Sequence, residues 1–133
     1  MSEPVPFGPL TYDENGALCL SGTPLAPIAE QFGSPLYVYS AAHISAQIQR
    51  LQSAFSKLNP LICYAVKANM NTHVIRHVAS HGVGADVVSA GELRRALASG
   101  VAAEKIVFAG VAKQPAELEA GLEANILQFN VES

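Results

Sequence analysis

The sequence predicts an α/β fold, the N-terminal half of a closed (β/α)8 barrel, preceded by a segment that belongs to a second, β-rich domain. Three observations carry this. From residue 35 onward, short apolar strand candidates alternate with amphipathic helical stretches, the pattern of a parallel sheet covered by helices. Four of those strands, at 61–66, 84–88, 105–109 and 125–129, start about 20 to 23 residues apart, a pitch that closed eight-stranded barrels use. Residues 1–34 read differently: they are rich in proline and hold two short strand-like runs around Asn15-Gly16, the strongest two-residue hairpin signal.

Taken in order, "APIAEQFG" forms a short helix with Pro27 in its first turn and Gly33 closing it, since proline suits a helix start and glycine a helix end. "PLYVYS" at 35–40 reads as a strand. The stretch 41–58 reads as a helix, because Ile44, Ile48, Leu51, Phe55 and Leu58 fall on one helical face. "NTHVIRHVASH", "AGELRRALAS" and "QPAELEAGLE" supply three more helices, with Pro115 near the start of the last. Gly82, Gly100 and Gly121 each precede a strand and are expected to end a helix in the left-handed conformation. A half barrel leaves parallel edges and one side of its core open. The chain is therefore expected to be an N-terminal portion of a longer protein; an open, doubly wound sheet complete in itself is the competing architecture.

Composition narrows the function. Half of the 133 residues are hydrophobic, 14% are charged, and the eight Lys and Arg are outnumbered by eleven Asp and Glu. A scattered, slightly acidic charge argues against nucleic acid as a partner. The longest apolar runs fall far short of the roughly 20 residues that span a bilayer, and "MSEPVPF" lacks a basic region followed by an apolar one. The expectation is no membrane association and a cytoplasmic address. Cys19 and Cys63 stand far apart with no C-x-x-C, so both are read as reduced thiols. His73, His77 and His81 recur every four residues on one helix, but no H-E-x-x-H pattern accompanies them, and no metal site is expected. "GVG" at 82–84 precedes a strand, which excludes a dinucleotide loop.

In a βα barrel the C-terminal strand ends face the reaction site. Here they carry Lys67 and Asn69, Ser89 and Glu92, Gly110 and Lys113, and Asn130 with Glu132. Lys67 closes the apolar run "LICYAV". If strand alternation continues to it, Lys67 shares a face with Ala65 and Cys63. Partial burial there would lower its pKa from about 10.4 and free a neutral amine to attack an aldehyde, the requirement for a Schiff-base lysine. Spacing alone slightly favours the alternative, an ordinary surface lysine at a strand end. Asp86, inside the apolar "VGADVV", needs a cation or several hydrogen-bond donors. Lys67 on the adjacent strand is one candidate, and neighbouring backbone amides are another.

"YAVKAN" at 64–69, together with "FGSPLYVYS", "GADVVSAGEL", "KIVFAGVAK" and "NVES", resembles the diaminopimelate decarboxylases, pyridoxal 5′-phosphate enzymes of the alanine racemase-like barrel class. The resemblance covers nearly the whole chain. It implies that Lys67 holds the cofactor through an imine, that Ala65 lies against one face of its ring, and that Asp86 and Glu92 are acidic positions near the lysine. The implied reaction is decarboxylation of meso-2,6-diaminopimelate to L-lysine and carbon dioxide, the last step of lysine biosynthesis, in a homodimer with a shared active site. By the same resemblance, the phosphate-cradling glycines, the substrate-binding arginines and a catalytic cysteine lie beyond Ser133, and the isolated 133-residue chain is expected to be inactive. Two other readings compete: a related decarboxylase of ornithine, arginine or carboxynorspermidine, and a non-catalytic cofactor-binding module.

Overall fold

Two β-sheets of opposite character organise the chain in the computed structural model, which describes residues 8–132. The N-terminal "MSEPVPF" and Ser133, the last residue of "NVES", lie outside the described residues. The chain divides into two compact units, Met1–Gln47 and Ile48–Ser133.

The first unit holds an antiparallel sheet of β1 (Leu10–Tyr12), β2 (Leu18–Leu20) and β3 (Thr23–Pro24). The expected hairpin forms with Leu10 opposite Leu20 and Tyr12 opposite Leu18, but its loop is longer than two residues. The Asp13 carboxylate accepts the N–H groups of Asn15 and Ala17 at 2.9 and 2.8 Å. Gly16, at φ 79°, then supplies the left-handed residue that returns the chain. This is a turn followed by a left-handed glycine, the common three-residue hairpin loop. The sequence reading missed the second hairpin. Ser21 (φ 49°) and Gly22 (φ 80°) are both left-handed and join β2 to β3 with the two-residue geometry that matches strand twist. Helix α1 (Leu25–Phe32) follows and stops at Gly33, φ 82°, as its sequence dictates.

The stretch 35–40 forms no strand. Tyr37 is 89% exposed, and an extended segment without a hydrogen-bonding neighbour is not a strand. Helix α2 (Ala41–Ala54) ends four residues short of the expected 58, and of its apolar face only Ile48 is fully buried; Leu51, Phe55 and Leu58 are exposed.

The second unit holds β4 (Cys63–Ala65), α3 (Thr72–Ala79), β5 (Gly84–Val87), α4 (Ala90–Ala98), β6 (Ile106–Phe108), α5 (Pro115–Glu123) and β7 (Gln128–Phe129). All neighbouring strands are parallel, in the order β4-β5-β6-β7. Parallel crossovers take one hand, so sequential order with no reversal puts α3, α4 and α5 on the same face, and Ile75, Leu93 and Ala120 from these three helices join one core cluster. A doubly wound sheet needs a switch point, so that alternative is excluded. Register assigns the faces. Tyr64, Ala85, Val87, Ile106, Phe108 and Phe129 pair across the ladder on one side and pack with Ile75, Leu93 and Ala96 into the core. The full burial of Phe108, Ile75, Leu93, Ile106, Val66 and Val87 stabilises by about 1.5–3 kcal/mol per large side chain. The opposite face carries Cys63, Ala65, Gly84, Asp86 and Val107, and only Gly84 among them is fully buried.

The helix ends follow local chemistry. Gly82 (φ 75°) and Gly100 (φ 90°) take the expected left-handed conformation. Gly121 does not: it lies buried inside α5, where an added Cβ would stand 2.4 Å from the Phe129 ring. That glycine admits a ring, and the left-handed residue after α5 is Asn125, φ 53°. Asparagine tolerates that region better than other non-glycine residues. At the start of α4 the Ser89 hydroxyl accepts the Glu92 N–H at 3.2 Å. Ser89→Ala is therefore expected to cost about 1 kcal/mol, read as a lower midpoint in urea unfolding with an unchanged slope.

Candidate functional site

The C-terminal ends of β4 to β7 gather the predicted residues, as sequential parallel strands require. Lys67 lies on a single 3₁₀ turn, Val66–Ala68, entered directly from β4. The chain leaves the ladder at Ala65, one residue before alternation could place Lys67 beside Cys63 and Ala65. The expected burial of its amine is therefore corrected: Val66 is fully buried and Lys67 is exposed.

Ala65 pairs with Asp86 across the β4–β5 ladder, so the carboxylate stands beside the strand residue two before the lysine. Asp86 Oδ1 is buried and has no hydrogen-bond partner. A buried acceptor without a donor is costly, and it is a position where a cationic or N–H-bearing group would be welcome. Small residues flank it: Ala65 beside Asp86, and Gly84, whose missing side chain admits the Lys105 carbonyl and the Cys63 sulfur. Burial, and then the Asp86 charge, push the Cys63 thiol above its ordinary value. A thiol held protonated is a poor nucleophile.

Glu92 is nearly fully buried. Its carboxylate accepts the Val88 N–H at 2.9 Å while its own N–H is capped by Ser89. Its charge is spent fixing the turn from β5 into α4. A neighbouring role falls to Glu117, which the sequence reading passed over. One oxygen accepts the Ala90 N–H at 2.8 Å and the other the Gln114 N–H at 3.1 Å, tying the starts of α4 and α5 together. The spacing Gln114-x-x-Glu117 just inside a proline-started helix was the available signal.

The Ala90 N–H, then the Gln114 N–H, and more weakly the Arg94 charge hold the Glu117 carboxyl below the usual glutamate value. With its folded pKa below its unfolded one, Glu117 contributes stability above the ordinary glutamate range and loses it as pH falls through the depressed folded value. Acid titration of unfolding should accordingly show a shallower loss of stability for Glu117→Ala than for the parent.

At the ends of β6 and β7, Lys113 donates to the carbonyls of Gly110 and Asn130, and the Gly110 N–H donates to Glu132 at 3.0 Å. These residues border a cleft of about 210 Å³ with Phe129 on its apolar side. The turn after Lys67 is likewise braced. The Tyr64 phenol donates to the Asn69 carbonyl at 3.1 Å, Arg95 to the Met70 carbonyl at 3.2 Å, and Asn71 caps α3 by accepting the His73 N–H at 2.9 Å. Among the described residues no cluster of three or more His, Cys, Asp or Glu could hold a metal ion, and no helix is long and apolar enough to cross a membrane.

Residues 41–133 match the family model of the pyridoxal-dependent decarboxylases, in their pyridoxal-binding domain. The chain belongs to this family.

Relatives within the pyridoxal-dependent decarboxylases are close in sequence. The diaminopimelate decarboxylase of Neisseria meningitidis serogroup B is 52% identical over 110 residues, 83% of this chain and 27% of that protein. That of Aquifex aeolicus is 43% identical over 127 residues, 96% of this chain and 30% of that protein. Among solved structures, diaminopimelate decarboxylase from M. jannaschii in co-complex with L-lysine superposes with a TM-score of 0.89 at 40% identity, covering 93% of this chain and 30% of that one. Lysine/ornithine decarboxylase from Vibrio vulnificus complexed with cadaverine gives 0.75 at 26% identity, covering 82% and 29%. The chain thus spans under a third of the length of these relatives.

The residues present fit pyridoxal phosphate. An exposed amine on a braced turn can reach an aldehyde, small side chains leave room on the sheet face, and Asp86 Oδ1 waits for a donor.

Proposed function

We propose that the full-length protein containing this chain decarboxylates meso-2,6-diaminopimelate to L-lysine and carbon dioxide, with Lys67 as its cofactor lysine. The observation that carries the reading is the exposed Lys67 amine, set on a turn at the C-terminal end of β4, two residues beyond the partner of an unsatisfied buried carboxylate. Pyridoxal phosphate, when bound, supplies an electron sink for the pair left behind as the carboxylate departs.

The chain's own residues do the rest. Lys67 offers a nucleophilic nitrogen and later a proton-carrying one. Asp86 favours a positive charge on whatever nitrogen faces it. Ala65 keeps the sheet face low enough for a flat ring, and Glu92 fixes the turn that ends β5. Residues 1–34 contribute to a β domain and 35–133 to the partial barrel; the protein acts as a cytoplasmic homodimer with a shared site.

The contrast in similarity favours diaminopimelate over ornithine as substrate. The chain is 40% identical to diaminopimelate decarboxylase from M. jannaschii and 26% identical to a lysine/ornithine decarboxylase. Carbon dioxide release from meso-diaminopimelate, ornithine and arginine by the full-length protein tests this. Preferential turnover of diaminopimelate is expected; preference for ornithine would overturn the substrate assignment.

A further inference from the structure

We infer that Tyr64 and Arg95 are positioning residues for Lys67: they clamp the turn that carries it, and the rate at which its amine bonds pyridoxal phosphate depends on them. The inference rests on the reading of Lys67 as the cofactor lysine. Lys67 has a flexible four-carbon stem and an exposed head, so the fold can control only where the stem starts. That origin is the 3₁₀ turn Val66–Ala68, which the Asn69 N–H closes on the Val66 carbonyl at 3.2 Å. A single such turn is a weak element.

What holds the turn comes from outside it. Tyr64 lies on the helix-facing side of β4, packed against the core, and its phenol reaches over the strand end to the Asn69 carbonyl at 3.1 Å. Arg95, in the last turn of α4, donates to the Met70 carbonyl at 3.2 Å, linking residues 25 apart in sequence. The Asn69 side chain accepts the Asn71 N–H at 2.9 Å, and the Asn71 side chain in turn starts α3. Two successive carbonyls after the lysine are therefore pinned by side chains anchored in two different elements. A nucleophile that must return to one place at every turnover gains rate from a fixed origin, because small misplacements of reacting groups cost large factors.

The test uses the full-length protein stripped of cofactor. Pyridoxal phosphate is added, and the visible absorption of the covalent link is followed in time. Samples quenched with borohydride are then mapped for the labelled lysine. Tyr64→Phe keeps the ring and loses the donor; it is expected to slow label formation at Lys67 about fivefold, the factor for one ordinary hydrogen bond. Arg95→Met should slow it less, and Arg95→Lys should recover part of the loss, which a purely structural role would not predict. Amide exchange at 69–71 should quicken in both slowed variants, with melting temperatures near the parent's. Arg95 is exposed, so its variants are expected to fold whatever Tyr64→Phe does. Parent-like capture rates in Tyr64→Phe and Arg95→Met, with the parent labelled at Lys67, would overturn this inference alone. A parent labelled at a different lysine would overturn the cofactor reading and this inference with it.

Discussion

Lys67→Ala in the full-length protein is expected to abolish the borohydride-fixed pyridoxal label and to lower decarboxylation on the order of a thousandfold or more, since the proposed function makes one residue both nucleophile and proton carrier. Stability should barely move. Lys67 is exposed and lies outside the ladder, and substitutions at such positions usually stay within about 0.5 kcal/mol. A large loss of activity with an unchanged melting temperature separates a chemical role from a packing one. The same visible absorption and normal carbon dioxide release from the alanine variant would remove Lys67 from the site.

Gly84→Ala is expected to have the largest effect on stability. A Cβ there would stand 2.2 Å from the Lys105 carbonyl oxygen and 3.1 Å from the Cys63 sulfur. The sulfur could turn aside, but the carbonyl belongs to the residue that leads into β6, and moving it breaks the register of Ala85 with Ile106. Overpacking against backbone costs about 3 kcal/mol or more, a drop in melting temperature of roughly 10 °C for a domain of this size. Gly91→Ala is the matched control. In α4 its Cβ would meet only the Ser89 hydroxyl, at 3.7 Å, and helix propensity favours alanine, so that variant should melt at or slightly above the parent. Equal melting of Gly84→Ala and Gly91→Ala would mean that β5 and β6 do not approach as closely at this point.

Most of the fold was legible because its signals are local. Strand pitch, apolar periodicity, Pro115 at the start of α5, and Gly82 and Gly100 after their helices each depend on a few neighbouring residues. The misreadings occur where a distant contact decides. Gly121 looked like a helix stop and is instead the place where the Phe129 ring meets α5, a partner eight residues ahead on another element. The segment 35–40 has strand-like composition, but a strand exists only if a neighbouring strand takes its hydrogen bonds. The Ser21-Gly22 turn was readable and was missed between two short runs.

The candidate site shows the same division. Lys67 and Asp86 were conspicuous as charges in apolar surroundings, and "YAVKAN" gave the family. That the lysine stands on a 3₁₀ turn with its amine exposed was not readable, because alternation carries on only while the ladder does, and hydrogen bonding across the sheet ends β4 at Ala65. Nor could sequence show that Glu92 spends its carboxylate on Val88, or that Tyr64 and Arg95 hold the turn behind Lys67. By itself the sequence determined the alternation of strands and helices after residue 60, the parallel sheet and a lysine set conspicuously at a strand end, since these follow from periodicity and residue chemistry. Only the tertiary structure decided which side chains brace that nitrogen and which carboxylate is left without a donor, because those contacts join residues as many as 25 positions apart.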